Sequence, residues 1–555
     1  MNETSVPDIS IIRGVYPERA ERMALPGGFD GPVPHYGETV DGREAWAMYR
    51  AAAAGDLGLV NDLVAHNPTL VNIQNWYEFP IYMAVRNDHV EVVRALLSAG
   101  ADPGLSNYLY SSWQTPLQIA RDRGFRDVYK VLQEELKVRY NYHQDFYRLR
   151  DAVKERDRKM VEAVLQDNAH LAISADEFGA SALHWAALTR QLPLIDRFLE
   201  LGADIDACRA GGDTPLHLAI DGDYWFHKEG LMGCAIKTGS AVAGFLLARG
   251  AEYFLTIACV LGDQERVETI LADDAAAANR LDSARNSPLH FAAREGHTQI
   301  VKLLLDAGAD PNQMEALTTG GRALFEASAG NHLETARLLL DRGANPNVGV
   351  DSSGTALTIV EHRHPGRCSA MQELLRSYGA EDEAWVMTPE QRAEKLADDP
   401  EAAYDAEMIK HILRSNDAAL VDTLLNRNPD AFRHLSGEGV TSLPDDPTLA
   451  KRIIDGGINV DQRDSSGKTM LWHHAGKGHL ETVKLLIDYG ADINILDALE
   501  GRSPLASAAA GGHEDVVGFL LSIGAETDLA DGPWATPAAC ARRAELHDLA
   551  ARLEE

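Results

Sequence analysis

The amino-acid sequence predicts an all-α solenoid, a stack of helix–turn–helix units, and three observations carry this prediction. First, the phrase SPLHFAAREGHTQIVKLLLDAGAD at residues 287–310 returns in altered form at 469–492 and 503–526. Second, the position that opens the phrase, which is Thr or Ser in most copies and Arg322 in one, recurs 33 to 35 residues later in adjacent copies. Third, that position precedes the Gly of the following LLxxGA phrase by 21 residues in five copies. A fixed period of this length is typical of stacked repeats, in which each unit contacts only its neighbours.

Each unit is predicted to contain two helices. Thr214 and Ser287 carry hydroxyl groups that can cap a first helix, and the Pro that follows each of them suits the first helical position. Gly296 is predicted to end this helix, because glycine adopts the left-handed conformation of a helix end without strain. A second, amphipathic helix follows and stops at Gly308. Its apolar residues are Ile300, Val301, Leu303, Leu304 and Leu305.

These units resemble ankyrin repeats. The ankyrin phrase TPLHxA is matched by SALHWA at residues 181–186, TPLHLA at 214–219 and SPLHFA at 287–292. The resemblance extends from about residue 43 to the C-terminus, over about thirteen or fourteen units, several of them degenerate. It implies helix pairs joined by β-hairpin-like turns. It also implies a scaffold that binds another macromolecule, most plausibly a protein, through its concave face and hairpin tips.

The repeats are predicted to form two blocks, with three departures from the pattern. Residues 1–42 carry several Pro and Gly without periodicity and predict an irregular, extended N-terminal arm. Block 1 covers 43–380, and block 2 covers 405–555 with a polar C-terminal cap. Between the blocks, the acidic segment 381–404 predicts an off-pattern helical linker. Inside block 1, an insert at 221–238 separates the two helices of one unit.

The composition argues against several classes of partner. With 52 Lys and Arg against 84 Asp and Glu, the net charge is −32. Such a surface repels nucleic-acid phosphates and anionic lipid headgroups, so neither nucleic acid nor membrane is an expected partner. The acidity is explained either by solubility or by a basic protein partner. Scattered cysteines, the lack of a signal-peptide pattern and the lack of a bilayer-spanning apolar run predict a cytoplasmic protein.

The aromatic insert is the most conspicuous candidate binding site. It reads DGDYWFHKEGLMGCAIKT and brings Tyr224, Trp225, Phe226 and His227 together. Insertions within repeats form loops that often bind ligands, and aromatic side chains concentrate binding energy in small areas. The alternative is that these side chains fill the gap that the insertion opens.

Further aromatic residues stand at predicted hairpin tips and in one off-pattern phrase. The candidate binding residues near the tips are Trp76, Tyr77, Tyr108, Tyr110 and Trp113. They are interpreted either as anchors for a protein partner or as packing between successive hairpins. Trp472 and His473 are candidates because the phrase at 469–474 reads TMLWHH, with Trp in place of its usual His. Here the alternative is local repacking of the helix.

Catalysis is the alternative function. A small-molecule ligand is expected only if the protein is an enzyme. A pocket beside the insert could bring carboxylates together for acid–base work on a small polar substrate such as a carbohydrate, as in a hydrolase or lyase. The candidate catalytic residues are Asp221, Asp223, Glu326 and Glu361. Histidines of the repeated phrases, such as His184 and His332, are interpreted as structural. Because no metal-ligand set and no cofactor motif is recognised, no metal and no cofactor are expected, and a binding scaffold is favoured over an enzyme.

Overall fold

The computed structural model describes most of the chain as two compact units. The described residues are 7–26, 29–35, 38–74, 79–105, 115–221, 238–313, 315, 322–349, 354–363, 369–381, 389–399, 403–414, 417–433, 443–444 and 446–554. One unit contains residues 1–33, 41–66 and 382–555. The other contains residues 34–40 and 67–381.

Within the described residues, thirty-one α-helices form fourteen helix pairs and three single helices. From the N-terminus to the middle of the chain, the elements are α1 (Pro17–Glu21), β1 (Pro32–His35), β2 (Glu38–Asp41), α2 (Gly42–Ala54), α3 (Leu57–His66), α4 (Pro80–Arg86), α5 (Val90–Ser98), α6 (Pro116–Arg123), α7 (Arg126–Tyr140), α8 (Phe146–Lys154), α9 (Arg158–Asp167), α10 (Ala182–Leu188), α11 (Leu192–Glu200), α12 (Pro215–Asp221) and α13 (Gly239–Leu247). The two strands pair with each other.

The second half of the chain continues the same alternation of first and second helices. Its elements are α14 (Leu255–Leu261), α15 (Gln264–Asp273), α16 (Pro288–Arg294), α17 (Thr298–Asp306), α18 (Arg322–Ala329), α19 (Leu333–Asp341), α20 (Ala356–Arg363), α21 (Ser369–Ser377), α22 (Pro389–Asp398), α23 (Ala406–Arg414), α24 (Ala418–Arg427), α25 (Pro447–Asp455), α26 (Met470–Lys477), α27 (Leu480–Asp488), α28 (Pro504–Gly511), α29 (Glu514–Ser522), α30 (Pro537–Arg543) and α31 (His547–Arg552). The all-α solenoid predicted from the sequence is therefore confirmed.

The first helices begin where the repeated phrase places them. Ser287 Oγ accepts a hydrogen bond from the backbone N of His290 at 3.1 Å, and Pro288 occupies the first turn of α16. In α26, Thr469 Oγ1 accepts from the backbone N of Trp472 at 3.3 Å. Each cap satisfies one of the amide groups that the start of a helix leaves without a partner.

Histidines of the GH phrase join successive repeats, as their structural interpretation predicts. His332 Nε2 lies 3.0 Å from the carbonyl O of Arg294 in the preceding first helix. Its ring covers Gly296, whose φ is 72°, and a Cβ at that glycine would lie 2.4 Å from His332 Nδ1. His513 makes the same contact over Gly478. Only glycine fits beneath the imidazole, so the pair fixes the spacing of the two units.

A ladder of asparagines links the turns of the regular repeats. Asn312 Nδ2 donates to the carbonyl O of Gly343 at 2.8 Å, and its Oδ1 accepts from the backbone N of Asn345 at 2.8 Å. Asn279 and Asn347 make the same pair of bonds to the units that follow them. Each asparagine thus bonds to one carbonyl and one amide of the next unit, and these bonds lie at the exposed surface of the turns.

Four helix pairs differ from the others at the start of the second helix. Their second helices, α3, α9, α15 and α24, are each capped by an aspartate: Asp56, Asp157, Asp263 and Asp417. In a regular pair such as α16–α17, this position is a His without a side-chain cap. Three of the four pairs follow a short connection, of five residues before α8, seven before α14 and seven before α23. These connections are too short for the hairpin-like turn found between the regular pairs.

Apolar cores run along the described repeats because each pair buries its inner faces against the next. One core joins α8 to α14, a second joins α14 to α21, and a third joins α22 to α31. The first contains the large, fully buried side chains of Phe146, Trp185 and Phe198. Stability in such a stack comes from contacts between neighbouring units.

The described part of the N-terminal arm contains one short helix. Pro17 starts α1 at the first helical position. The backbone N of Val15 and of Tyr16 donates to the carbonyl O of Ala54, at 2.9 and 3.0 Å. The arm therefore packs on the end of α2, and its few apolar residues carried no periodic signal because the helix has a single turn.

Two single helices lie beside the expected break in the array. Helix α22, within the segment 381–404, packs against α24 and buries Leu396 completely. Helix α25 has no first helix before it among the described residues. The division into two blocks with a linker at 381–404 remains a prediction.

Candidate interaction site

The described part of the candidate site lies in the unit of α26 and α27. Because Thr469 caps α26, the repeated phrase continues in register. Trp472 takes the place of the phrase's His, His473 follows it, and His474 takes the place of a small packing residue. Three bulky polar or aromatic side chains therefore occupy positions that the regular units use for tight packing.

The turn before α26 is organised by Asp464. Its Oδ1 accepts from the backbone N of Ser466 and of Lys468, both at 2.9 Å. Its Oδ2 lies 2.9 Å from Nε2 of His473. Because the turn amides hold the carboxylate in one orientation, the carboxylate in turn fixes the imidazole.

A cation and two rings complete the arrangement. Lys468 Nζ lies 4.6 Å from the ring centroid of Trp472, where the ring quadrupole attracts a cation. The rings of Trp472 and His473 meet edge to face, with centroids 5.4 Å apart. We call Asp464, Lys468, Trp472 and His473 the Trp472 cluster.

The Trp472 cluster is partly open to solvent. The side chain of His473 is 29% exposed and that of Asp464 is 14% exposed, while Trp472 is half-buried. The indole Nε1 of Trp472 is buried, and no described residue accepts a hydrogen bond from it. An unsatisfied buried donor costs free energy. The accessible part of the cluster is a half-buried indole ring and a partly exposed imidazole.

The unit of α10 fills the equivalent positions differently. Trp185 Nε1 donates to Asp176 Oδ2 at 3.0 Å, across the same sequence separation of nine residues as His473 and Asp464. Trp185 is 1% exposed and Asp176 is 2% exposed. Burial, followed by the charge of Glu177, raises the pKa of Asp176 above its ordinary value. The same position is therefore closed packing in α10 and an open polar surface in α26.

Two histidines pair behind the Trp472 cluster. His474 is fully buried, and its Nδ1 lies 3.1 Å from Nδ1 of His479. In the regular repeats, the histidine equivalent to His479 bonds to a carbonyl of the preceding first helix. In the unit of α26, His474 stands in place of a small residue, and its ring lies beside that of His479 in the same unit.

A cavity of about 580 Å³ lies in the other compact unit, beside the short connection between α13 and α14. Only residues 248–254 join the two helices, so no hairpin-like turn fills the space between the flanking turns. Tyr253 and Phe254 line it from the connection, and Asp206 and Asp282 line it from the turns on either side. Its lining is mixed in charge, with both carboxylates and arginines.

A hydroxyl, an imidazole and a carboxylate adjoin this cavity. Thr214 Oγ1 lies 2.9 Å from Nδ1 of His217, whose Nε2 lies 3.2 Å from Asp282 Oδ2. Burial opposes ionisation of Asp282, but the hydrogen bond and charge of His217 outweigh it and hold the pKa of Asp282 below its ordinary value. Thr214 is buried and its Oγ1 also accepts from the backbone N of His217, so it caps α12. The series is a helix cap and lacks the exposed hydroxyl of a nucleophile.

The predicted catalytic carboxylates lie apart from this cavity. Glu326 is in α18, 3.9 Å from Arg322, and Glu361 is in α20, 3.3 Å from Arg376. Neither lines the cavity. Asp221 is the last residue of α12. The two described glutamates each have an arginine partner of their own, and catalysis by this set remains a prediction.

Most of the predicted site residues lie outside the described residues. They are Asp223, Tyr224, Trp225, Phe226 and His227 of the insert, with Trp76, Tyr77, Tyr108, Tyr110 and Trp113. Their roles remain predictions. Trp472 and His473 are the predicted binding residues that the structure describes.

Sequence reasoning missed Asp464 and Lys468, which the structure brings to Trp472 and His473. A signal was present, because an aspartate stands five residues before the capping Thr or Ser in several units. The pairs are Asp176 with Ser181, Asp282 with Ser287 and Asp464 with Thr469. The aspartate accepts turn amides in all three units.

The described ranges were also searched for other kinds of site. No group of three His, Cys, Asp or Glu side chains in them is placed to hold a metal ion. None of their helices combines the length and apolar character needed to cross a bilayer. Cys208, Cys259 and Cys540 are free thiols, of which only Cys208 is exposed.

These features define a helical-repeat protein whose units are joined by backbone, histidine and asparagine contacts. Family models described as ankyrin repeats match residues 48–143, 183–224, 231–350 and 415–531. The chain therefore belongs to the ankyrin-repeat family. Ankyrin repeats are generally protein–protein interaction modules.

Curated relatives share the repeats over part of their length. The chain is 25% identical to Inversin of Homo sapiens over 263 residues, which are 46% of this chain and 21% of that protein. It is 27% identical to the Transient receptor potential cation channel subfamily A member 1 of Homo sapiens over 309 residues, 52% of this chain and 26% of that protein. The chain thus spans about a fifth to a quarter of these relatives.

Proposed function

We propose that the chain is a scaffold that binds a protein partner on the face formed by first helices and connecting turns, with the Trp472 cluster as an anchor. The predicted insert residues Tyr224, Trp225 and Phe226 form a second anchor in this proposal. Stacked repeats give a preformed surface, so little ordering entropy is lost when a partner binds.

The observation that carries this proposal is the contrast between two equivalent positions. In α10, Trp185 and Asp176 satisfy each other within closed packing. In α26, His473 and Trp472 leave an imidazole partly exposed and an indole donor without an acceptor among the described residues. A half-buried Trp beside polar groups is the kind of side chain that dominates binding energy at protein interfaces.

The partner in this proposal presents basic groups. The net charge of −32 favours a basic partner, because opposite charge raises the rate of encounter. The described cysteines are free thiols, which fits a reducing compartment such as the cytoplasm.

The test compares full-length variants in affinity purification from native lysate with quantitative mass spectrometry. Trp472→Ala with His473→Ala should reduce recovery of the partner by about tenfold or more, since central aromatic anchors cost about 2 kcal/mol or more when truncated. Tyr404→Ala is the matched control, because Tyr404 is an exposed aromatic residue of the same compact unit. Equal recovery for the double variant and the control would contradict the proposed site.

A further inference from the structure

The N-terminal arm reaches the turns of the last repeats within its compact unit. Arg22 Nη1 lies 2.7 Å from Asp531 Oδ2, and Arg19 Nε lies 3.6 Å from the same oxygen. The side chains of Arg19 and Arg22 are 5% and 19% exposed, and that of Asp531 is 13% exposed. Two arginines one helical turn apart therefore converge on one carboxylate that is largely shielded from water.

The arm also touches the turn that carries the Trp472 cluster. A Cβ at Gly467 would lie 2.9 Å from the carbonyl O of Arg22, so the arm backbone passes directly over this glycine. Gly467 stands between Asp464 and Lys468, and its φ is 74°. The arm therefore lies against the edge of the surface that we propose as the partner site.

The apolar side chains of the arm are only partly buried. Val15 is 66% exposed, Tyr16 is 41% exposed and Leu25 is 38% exposed, whereas Ala20 and Met23 are buried. The ion pairs with Asp531 add recognition by charge to the backbone hydrogen bonds that join the arm to α2.

We propose that the turn surface around Asp531 is a receptor for a peptide with two arginines three residues apart, and that Arg19 and Arg22 occupy it in cis. A partner segment with the same pattern would displace the arm. This inference rests on the proposed protein-binding function and names the chemistry of the partner. The chain's acidity fits a ligand of this kind, because its surface attracts basic segments.

The test uses the full chain and a fluorescein-labelled peptide, IRGVYPERAERMAL, which copies residues 12–25. In wild type, the tethered arm competes at a high effective concentration. In Arg19→Gln with Arg22→Gln, the arm should no longer compete for Asp531. Fluorescence anisotropy should then show that the peptide binds this double variant at least about tenfold more tightly than it binds wild type. Adding Asp531→Asn should abolish that gain.

Two controls isolate the charge recognition. A peptide with Gln in place of the arginines that correspond to Arg19 and Arg22 should not bind. Asp528→Asn should leave binding unchanged, because Asp528 has no described ion pair with the arm. The inference is overturned if the peptide binds the Arg19→Gln, Arg22→Gln variant no more tightly than it binds wild type. It is equally overturned if Asp528→Asn weakens binding as much as Asp531→Asn does.

A second measurement covers the case in which the arginine variant fails to fold, judged by circular dichroism. Asp531→Asn alone should increase amide hydrogen exchange at residues 15–24, because the arm loses its carboxylate anchor. An arm that stays as protected as in wild type overturns the inference. The peptide assay contains no cellular partner, so its failure is distinct from a failure of the affinity purification that tests the proposed function.

Discussion

The units of α10 and α26 place different side chains on the same backbone plan. In α10, Trp185 closes over Asp176 and both side chains are buried. In α26, the smaller His473 reaches Asp464 and remains partly exposed. Polar groups that a regular repeat satisfies within the stack thus stay accessible where the phrase is altered.

The difference follows from the neighbours of each unit. In the regular stretch from α16 to α19, GH histidines and the asparagine ladder bond to backbone groups of the adjacent unit. The unit of α26 follows the single helix α25, and its His479 lies beside His474 of the same unit. Regular repeats direct their polar groups at each other, whereas the altered repeat leaves the imidazole of His473 partly exposed.

The largest expected effect is the loss of stability in Trp185→Ala. The indole is 1% exposed and satisfies Asp176 Oδ2, so its removal leaves a cavity and a buried carboxylate oxygen without its donor. We expect the free energy of unfolding to fall by about 3–5 kcal/mol in urea denaturation. Trp472→Ala, at a half-buried position, should cost about 1–2 kcal/mol because less area is buried.

Equal losses in the two variants would contradict the contrast between the two units. A larger loss for Trp472→Ala would show that Trp472 is a packing residue, as the local-repacking alternative holds. Helical content by circular dichroism should stay at the wild-type level in Trp472→Ala.

A smaller effect is expected in the pH dependence that Asp176 causes. Its folded-state pKa lies above the ordinary 3.8, so its contribution to stability is fully present below pH 3.8 and is lost as the pH rises through the folded-state value. Asp176→Asn should remove this fall in stability with pH. It should also lower the free energy of unfolding by about 1–3 kcal/mol, because asparagine has one acceptor oxygen and cannot serve both the turn amides and Trp185 Nε1. Urea titrations from pH 4 to pH 8 measure both changes.

Asp464→Asn is the control for Asp176→Asn, because it also replaces an aspartate whose carboxylate accepts hydrogen bonds from turn amides. An Asp176→Asn profile that still falls like that of wild type between pH 4 and neutrality would show that another group causes the fall. If the stability of Asp176→Asn fell more steeply with pH than that of wild type, the sign assigned to the contribution of Asp176 would be wrong.

The fold was predictable from the sequence because the unit depends on local signals. Caps such as Ser287, the glycine at Gly296 and the apolar second helices repeat at a fixed spacing and specify two helices and a turn. Trp472 and His473 were found because they interrupt that spacing. The role of histidines such as His332 followed from the family resemblance.

The remaining contacts join residues that are distant in the sequence. The bond from Arg22 to Asp531 spans 509 residues, and no periodic pattern relates the two side chains. Lys468 contacts the ring of Trp472 because of the conformation of its turn, and the sequence of the repeated phrase does not specify that conformation. The asparagine ladder is visible as recurring Asn, but its bonding depends on how closely the units stack.

The most direct test of the account is photo-crosslinking from position 472. A full-length chain with p-benzoylphenylalanine in place of Trp472 should form one discrete adduct with a protein partner in native lysate, and the same substitution at Tyr404 should not form it. Adducts identical at the two positions, or none at position 472 while the purified chain still recovers its partner, would contradict the claim that the Trp472 cluster lies at the interface.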